Sequence, residues 1–346
     1  MITSEILKPT QPTQEDQKQI IEAIILDAIN KLKSIPNIYE YKPIQKADIK
    51  QGKLYYYFTN ENQINKQIEI LNNLLEDLKT SQDLEKTLKS YFNLKIGNIK
   101  LDDIIFNFSS SHLCKSFLCG YCQNCTICYG FKYEYSKSTL LSRLKNYIFI
   151  EYVIKSGHYE LLKQVIQETN LNKLIKDYNN QIKTALRKEN KKENPNPIKI
   201  KELESKIISD PRKIRNIRIN EIGELENKHY KFLKILLTEI NNNLVITSLK
   251  FKYTYTHNKE LDITKFKELV NINKSLNFSE CIQYLETIKH ELTHNIYCNC
   301  KNQTEAQELE QYLKQHNIKY CYCKADCTKC SYCKTNIKRV IITYNH

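Results

Sequence analysis

The apolar positions in the first part of the chain predict helices. Across residues 13–34 they recur every three or four residues, which is the spacing of one face of an amphipathic helix. Leucines repeat at the same spacing across residues 63–94, where we expect one or two long helices, and GKLYYYFT at 52–59 is rich in residues that favour strands. No cysteine occurs in this part. We expect residues 1–95 to form a mainly helical N-terminal extension.

Strand-like and helix-like patterns alternate from residue 96 onward. Strands separated by helices of ten or more residues form parallel sheets with the helices packed outside. We therefore predict an α/β fold, a complete or partial parallel β/α barrel over residues 96–346, with a charged, proline-interrupted insertion at about 187–199. The predicted strands are 104–108, 214–220, 249–256, 294–299, 318–323 and 338–344. The predicted helices are 138–156, 158–188, 226–242, 263–271, 279–293 and 303–315.

The net charge of the chain is compatible with a polyanionic partner but does not identify one. The 346 residues carry a formal net charge of +14, which favours polyanions such as nucleic acid. A divalent metal held by four thiolates carries about −2, so two filled sites would lower the total by about 4. A diffuse positive surface and a nucleic-acid contact both stay open.

The apolar segments favour a protein outside the membrane. The opening MITSEILKPTQ lacks the basic and apolar regions of a signal peptide. The most apolar runs, near residues 20 and 147, each carry an acidic residue and fall short of the roughly 18 apolar residues that span a bilayer. We expect no membrane contact and a cytoplasmic setting, where clustered cysteines bind metals or catalyse more often than they form disulfides.

Ten of the 13 cysteines lie in two short blocks whose spacing indicates metal binding. A tetrathiolate zinc site and a [4Fe–4S] cluster both fit the first block. The second block fits a structural metal site, a second cluster or a site shared with the first block. For the cysteines in general, a disulfide framework is the alternative that needs no metal. The first block is Cys114, Cys119, Cys122, Cys125 and Cys128, and the second is Cys321, Cys323, Cys327, Cys330 and Cys333.

Three cysteines lie outside the blocks. Cys298 and Cys300 stand at the end of a predicted strand and offer further ligands. Cys281 has the position of a small buried hydrophobic residue.

Several candidate residues directly follow predicted strands, where the chemistry of parallel β/α folds collects. The first cysteine block follows one strand, Glu221 and Glu224 follow the next, and His257 follows the third. Gly223 is one of only six glycines, so it serves either a backbone need, such as a positive φ or close ligand approach, or an ordinary turn. Glu221, Glu224 and His257 are our candidate catalytic residues.

The segment His290-Glu291-Leu292-Thr293-His294 matches the zinc-peptidase pattern H-E-x-x-H. In that pattern both histidines bind zinc and the glutamate activates water. On the predicted helix, however, the apolar stripe runs through Leu285 and Leu292, and both histidines lie on the opposite, solvated side. A zinc metallopeptidase is therefore kept only as an alternative.

The region around the first cysteine block resembles the phage gene-product-88 family. The resemblance lies in KIGNIKLDDIIFNFSSSHLCKSFLC and CYGFKYEYSKSTLLSRLKNYIF, where Cys114, Cys119 and Cys128–Tyr129–Gly130 match and Arg143 and Asn146 follow. Further matches are RINEIGEL, YTYTH and the closing CYCKADCTKCSYC with RVIITYNH. Together they cover about residues 96–346.

This family is in turn distantly similar to radical-SAM barrels. These place a three-cysteine [4Fe–4S] site after the first strand and a Gly-Gly-Glu after the second, which holds the amino group of S-adenosylmethionine. The resemblance gives that second role to Gly223 and Glu224, with Asn220 as a further cofactor-binding residue. This chain departs from the pattern in having no Cys-x3-Cys-x2-Cys and in having Ile222 in place of the first glycine.

Taken together, these patterns predict a metal-binding protein that carries an iron–sulfur cluster, and the resemblance implies a phage or mobile-element type. If it is an enzyme, the resemblance implies radical chemistry with S-adenosylmethionine. The alternatives are a zinc-stabilised nucleic-acid-binding module and, second, the zinc metallopeptidase.

Overall fold

The chain folds into helices and two mostly parallel sheets, so the α/β class is confirmed. The computed structural model describes residues 13–35, 61–98, 101–119, 134, 136–214, 216–219, 223–243, 249–251, 254–323 and 338–344. The helices are α1 (Gln14–Lys33), α2 (Glu61–Thr80), α3 (Leu84–Lys89), α4 (Lys115–Leu118), α5 (Lys137–Ser156), α6 (Tyr159–Gln167), α7 (Leu171–Asn190), α8 (Pro197–Ser205), α9 (His229–Asn243), α10 (Ile263–Phe266), α11 (Phe278–Thr287) and α12 (Gln303–Gln315). The strands are β1 (Lys95–Asn98), β2 (Leu101–Phe106), β3 (Asn216–Ile219), β4 (Lys250–Phe251), β5 (Thr254–Thr256), β6 (Ile272–Asn277), β7 (Ile296–Cys300), β8 (Tyr320–Tyr322) and β9 (Val340–Tyr344).

The strands follow one another across two sheets almost in chain order. The first sheet has the order β1-β2-β3-β4, with β1 antiparallel to β2 and the other pairs parallel. The second has the order β5-β6-β7-β9-β8 and is parallel throughout. The short stretch 249–256 supplies an edge strand to each sheet. The C-terminal ends of the parallel strands therefore lie at one edge of each sheet, as a β/α fold requires.

The N-terminal helices pack against the first sheet through one continuous apolar core. Phe92, just after α3, stacks on Phe149 of α5 with ring centroids 4.9 Å apart and also contacts Phe106 of β2. A second core joins α11 and α12 to β6, β7 and β9. The boundary at residue 95 stays a prediction, but apolar packing crosses it. None of the helices in the described ranges is long and apolar enough to cross a membrane.

Most predicted elements are present, and the differences have local causes. Strand β6 lies in a segment to which the sequence analysis assigned no element, and pairing with β5 and β7 makes this segment a strand. The predicted helix 158–188 is two helices, since Asn170 caps a new one. The predicted strand at 52–59 lies outside the described residues.

The charged segment at 187–199 is a turn between two helices. Its ends belong to α7 and to α8, which begins at Pro197 after the cap residue Asn196. The buried Glu189 carboxylate binds the ammonium groups of Lys192 and Lys199 at 2.8 and 3.1 Å. These two hydrogen bonds lower the pKa of Glu189 to about 2. These ion pairs therefore connect the end of α7 to the turn and to the start of α8.

The zinc-peptidase motif does not lie on a helix, so the predicted extent of helix 279–293 was wrong. Helix α11 ends at Thr287, and Lys289 and His290 adopt positive φ of 49° and 64°. The Lys289 and His290 backbone N–H groups donate to the carbonyls of Glu286 and Leu285. This is a Schellman termination, which makes the chain leave the helix before the motif begins.

Lys289 stands where such a termination normally has glycine, which predicts the effect of replacing it. Lys289→Gly should stabilise the protein by about 1 kcal/mol, because a left-handed conformation costs a residue with a Cβ about 1–2 kcal/mol. Chemical denaturation of both proteins measures this difference. The control is Lys267→Gly, at another exposed helix end where φ is −50°; it should not stabilise. Equal effects of the two changes would contradict the assignment.

Candidate functional site

Glu224 connects the ends of two strands from different sheets. It follows β3, and its Oε2 accepts a 2.7 Å hydrogen bond from Thr256 Oγ1 at the end of β5. Its Oε1 accepts a 3.0 Å bond from the backbone N–H of His257 and lies 3.2 Å from His257 Nδ1. Glu224 is buried, whereas the His257 side chain is 26 % exposed. The two predicted site residues are therefore brought together at the C-terminal edge, with the imidazole facing outward.

Gly223 occupies a position that no other residue would fill without strain. Its φ is +98°, and a Cβ placed there would lie 2.9 Å from Ser109 Oγ and 3.2 Å from the Ser109 backbone nitrogen. Ser109 follows β2. Gly223 was expected either to meet a backbone requirement or to form an ordinary turn. The structure supports the first interpretation, because the backbone has a positive φ and passes close to Ser109. The Gly223–Glu224 turn therefore lies against the end of β2 on one side and the end of β5 on the other.

The first cysteine block begins just beyond this contact. Cys114 precedes α4 and is half-buried, while Cys119 follows α4 and is exposed. Lys115 Nζ forms a 3.0 Å ion pair with Glu260 Oε2 in the loop after β5, and it also interacts with Cys119. Both interactions raise the pKa of Lys115, the Glu260 hydrogen bond most. The first two thiols thus lie on the same edge as Glu224 and His257.

Other predicted site residues lie outside the described ranges. They are Asn220, Glu221, Cys122, Cys125, Cys128, Cys327, Cys330 and Cys333. Their assignment as ligands or catalytic groups stays a prediction.

A buried ion pair lies against Ser111, three residues before Cys114. Glu134 Oε1 accepts hydrogen bonds of 2.7 Å from Arg143 Nη1 and from the backbone N–H of Ser111. The Glu134 and Arg143 side chains are only 3 % exposed. Burial raises the pKa of Glu134, and Arg143 opposes the rise. Arg143, one of the residues in the family resemblance, therefore holds the backbone three residues before Cys114.

The N-terminal helices contribute directly to the same loop. Gln67 on α2 is buried; its amide Nε2 donates to His112 Nδ1 at 2.6 Å, and its Oε1 accepts from Ser110 Oγ at 2.8 Å. The ring therefore carries its proton on Nε2. Burial lowers the pKa of His112 to about 3, so the ring stays neutral near neutral pH.

Sequence reasoning missed Gln67, His112 and Glu134. Gln67 is the polar exception on a leucine-rich helix face, which is the one signal that the chain offers. His112 is adjacent to the Ser109–Ser111 run, but nothing in its spacing points to a buried partner 45 positions away. Glu134 lies in a basic and aromatic segment with no recognisable motif.

The second cysteine block begins on the sheet face opposite its helices. In register, Cys298, Ile342 and Tyr322 form one row, and Tyr322 Oη bonds to Glu310 of α12 at 2.6 Å. Because side chains alternate along a strand, Cys321 and Cys323 point to the other face. There Tyr297 Oη lies 3.7 Å from Cys323 Sγ.

One cluster of acidic and histidine side chains resembles a metal site but already holds a cation. Among the described residues, ligand atoms of Glu151, Glu226 and His229 lie within 4.8 Å of one another. Lys228 Nζ is 2.6 Å from Glu151 Oε1 and 3.4 Å from Glu226 Oε1, so the ammonium occupies the place of a metal ion. His229 Nδ1 accepts the Glu226 backbone N–H, and its ring stacks on Phe108 at 4.0 Å. We therefore assign this cluster a structural role rather than a metal-binding one.

The two motif histidines have separate aromatic partners. His290 Nε2 lies 2.9 Å from Tyr312 Oη, and its ring packs on His316 with centroids 4.2 Å apart. His294 Nε2 lies 3.4 Å from Tyr284 Oη. The helical i, i+4 pair that a zinc peptidase requires is therefore not formed by these residues.

Comparison with protein-family models, curated proteins and solved structures finds no match to this chain. The resemblance to the phage family therefore rests on the quoted motifs and stays a prediction.

Replacing Gly223 tests how closely the turn contacts the end of β2. Gly157→Ala, also at positive φ (71°) but with nothing within 4 Å of the added Cβ, should cost about 1–2 kcal/mol. Gly223→Ala should cost about 1–3 kcal/mol more, because it adds overpacking against Ser109. Denaturation curves of the two variants give the comparison. Equal losses would mean that the Ser109 contact is not tight.

Replacing Gln67 tests whether the N-terminal helix supports the cysteine loop. Gln67→Leu keeps a side chain of similar size but removes the hydrogen-bond partner of Ser110 Oγ and His112 Nδ1. The free energy of unfolding should fall by about 1–3 kcal/mol for each buried group that loses this partner. Hydrogen exchange should also speed up at the amides of residues 110–119. Asn72→Leu, at an exposed position of the same helix, is the control. Unchanged exchange in Gln67→Leu would show that the loop does not depend on this contact.

Proposed function

We propose that this chain is a metal-binding protein of the partial β/α barrel type, with an iron–sulfur cluster on the first cysteine block. The supporting observation is the Gly223–Glu224 turn, which contacts the end of β2 and binds the end of β5. The first cysteine block begins only a few residues after β2. A thiol-rich loop and a buried carboxylate thus share one edge of the sheets, which is where β/α folds place their cofactors.

The burial of both sheet faces supports a curved, barrel-like arrangement. Ile105 of β2 and Ile341 of β9 are fully buried. Their strand neighbours Ile104 and Ile342 belong to the two helix-packed cores, so Ile105 and Ile341 point to the other side. Asn273 of β6, in register with Tyr255, is also fully buried. An open sheet with helices on one face alone would expose these positions, whereas the interior of a barrel encloses them.

The donor set at this edge fits a cluster. Cys114 and Cys119 supply thiolates, the ligands that iron–sulfur clusters require, and Lys115 beside Cys119 offsets part of their negative charge. The neutral His112 lies in the segment just before Cys114, and the Glu134–Arg143 pair binds the Ser111 backbone of that segment. Cys122, Cys125 and Cys128 are the remaining ligands that the sequence predicts.

Glu224 and His257 are the proposed binding groups for a second cofactor, S-adenosylmethionine. Glu224 Oε2 has a lone pair beyond the one that accepts from Thr256, so the carboxylate can also accept from an ammonium group. Bound together, the cluster would supply the electron that cleaves the sulfonium of this cofactor. The chain's own residues would orient the ammonium group and hold the cysteine loop.

Anaerobic purification and metal analysis test the proposal. We expect a broad absorption band near 400 nm, typical of cluster-bound iron, together with iron and sulfide. Cys114→Ser should weaken the band, whereas replacing both His290 and His294 by Ala should leave it unchanged. Colourless protein with stoichiometric zinc would overturn the cluster and favour the zinc-stabilised module.

Binding of S-adenosylmethionine tests the second cofactor. Calorimetric titration of the anaerobic protein should show binding that weakens at least about tenfold in Glu224→Gln, because a charge-assisted hydrogen bond contributes about 1.5–3 kcal/mol. Glu291→Gln is the matched control at an exposed position. No binding, or equal binding by both variants, would remove this cofactor from the proposal.

A further inference from the structure

The three cysteines outside the two blocks meet in the second core. Cys281 lies in the first turns of α11, and Cys298 and Cys300 lie on β7. Cys281 and Cys298 are fully buried, and Cys300 is 4 % exposed. Cys281 lies on α11 and Cys298 lies 17 positions further on, in the next element β7, and the packing of α11 on β7 brings the two thiols together.

The geometry of these thiols favours an ion with few ligands. Cys298 and Cys300 are two apart on one strand and share a face, with their sulfurs 3.9 Å apart. The Cys281 thiol interacts with Cys298 from the helix side. No ligand atom of a described His, Cys, Asp or Glu lies within 4.8 Å of both the Cys298 and the Cys300 sulfur. The pair is therefore a two-sulfur site with a third sulfur beside it.

We propose that Cys298 and Cys300 bind a soft monovalent metal ion, cuprous copper, with Cys281 as the adjacent third sulfur. Thiolates select soft ions, and cuprous copper accepts two or three sulfur ligands. Structural zinc requires four ligands, which the described residues around this pair do not supply. Binding converts two thiols to thiolates and releases two protons, so the bound site carries a net charge of about −1.

The surroundings place the outer end of the site near solvent and partly offset this charge. Cys300 ends β7, and the next two residues, Lys301 and Asn302, are exposed. Asn302 caps the N-terminus of α12, whose backbone dipole favours nearby negative charge. The site is independent of both cysteine blocks and of the proposed function.

Copper titration of the full chain tests this inference. The protein, purified with its own metal in place, is titrated with cuprous ion against a competing chelator, and the luminescence of solvent-shielded cuprous thiolates is recorded. Replacing both Cys298 and Cys300 by Ala should remove one equivalent of tightly bound copper per chain and most of the luminescence. Copper on the two blocks is common to all variants and cancels in the difference.

Two further variants keep the test decisive. Ile342→Val changes the buried neighbour in register with Cys298 and should lose no copper equivalent. If the double variant does not fold, Cys300→Ser alone, at the end of the strand, should weaken copper binding at least about tenfold. Copper equivalents and luminescence equal to those of the unchanged protein would overturn the inference, whatever metal the cysteine blocks contain.

Discussion

The carboxylate of Glu224 joins two strands that belong to different sheets. Its chain position places it after β3, and its hydrogen bonds place it on the end of β5. The contact is possible only because Gly223 adopts a left-handed conformation against Ser109, where a side chain would meet both the backbone and the hydroxyl. The edge that carries the first cysteines, His257 and Glu260 therefore depends on one small turn. A buried carboxylate needs such partners, since leaving it without them costs several kcal/mol.

A second layer of buried polar groups supports that edge from beneath. Gln67, His112, Glu134 and Arg143 all lie in the interior and bond to one another or to the loop before Cys114. Through these hydrogen bonds, α2 and α5 hold the segment just before Cys114. The N-terminal helices therefore do more than extend the fold, because α2 supplies the amide that holds Ser110 and His112.

Much of the element pattern could be predicted, because helices such as α1 and α12 have uninterrupted apolar faces and side-chain caps. Strand β6 and the end of α11 could not. Strand β6 is defined by its pairing with β5 and β7, which the sequence of the segment alone does not reveal. At α11, backbone hydrogen bonds end the helix at Thr287, although the motif that follows reads as helical. For the candidate site, the strand-end rule located Gly223, Glu224 and His257, but not their hydrogen-bond partners in other elements.

The sequence by itself determined the class of the fold and where thiols are concentrated, because periodicity and cysteine spacing are local properties. It also identified Gly223 and Glu224, since a rare glycine beside acids after a strand is a local signal. Only the tertiary structure decided which distant groups meet: Gln67 with His112, Glu224 with Thr256, and Cys281 with Cys298. These contacts form because the packing of helices and strands brings together residues that are 17 to 45 positions apart. The spacing of residues along the sequence does not reveal which of them will meet in this way.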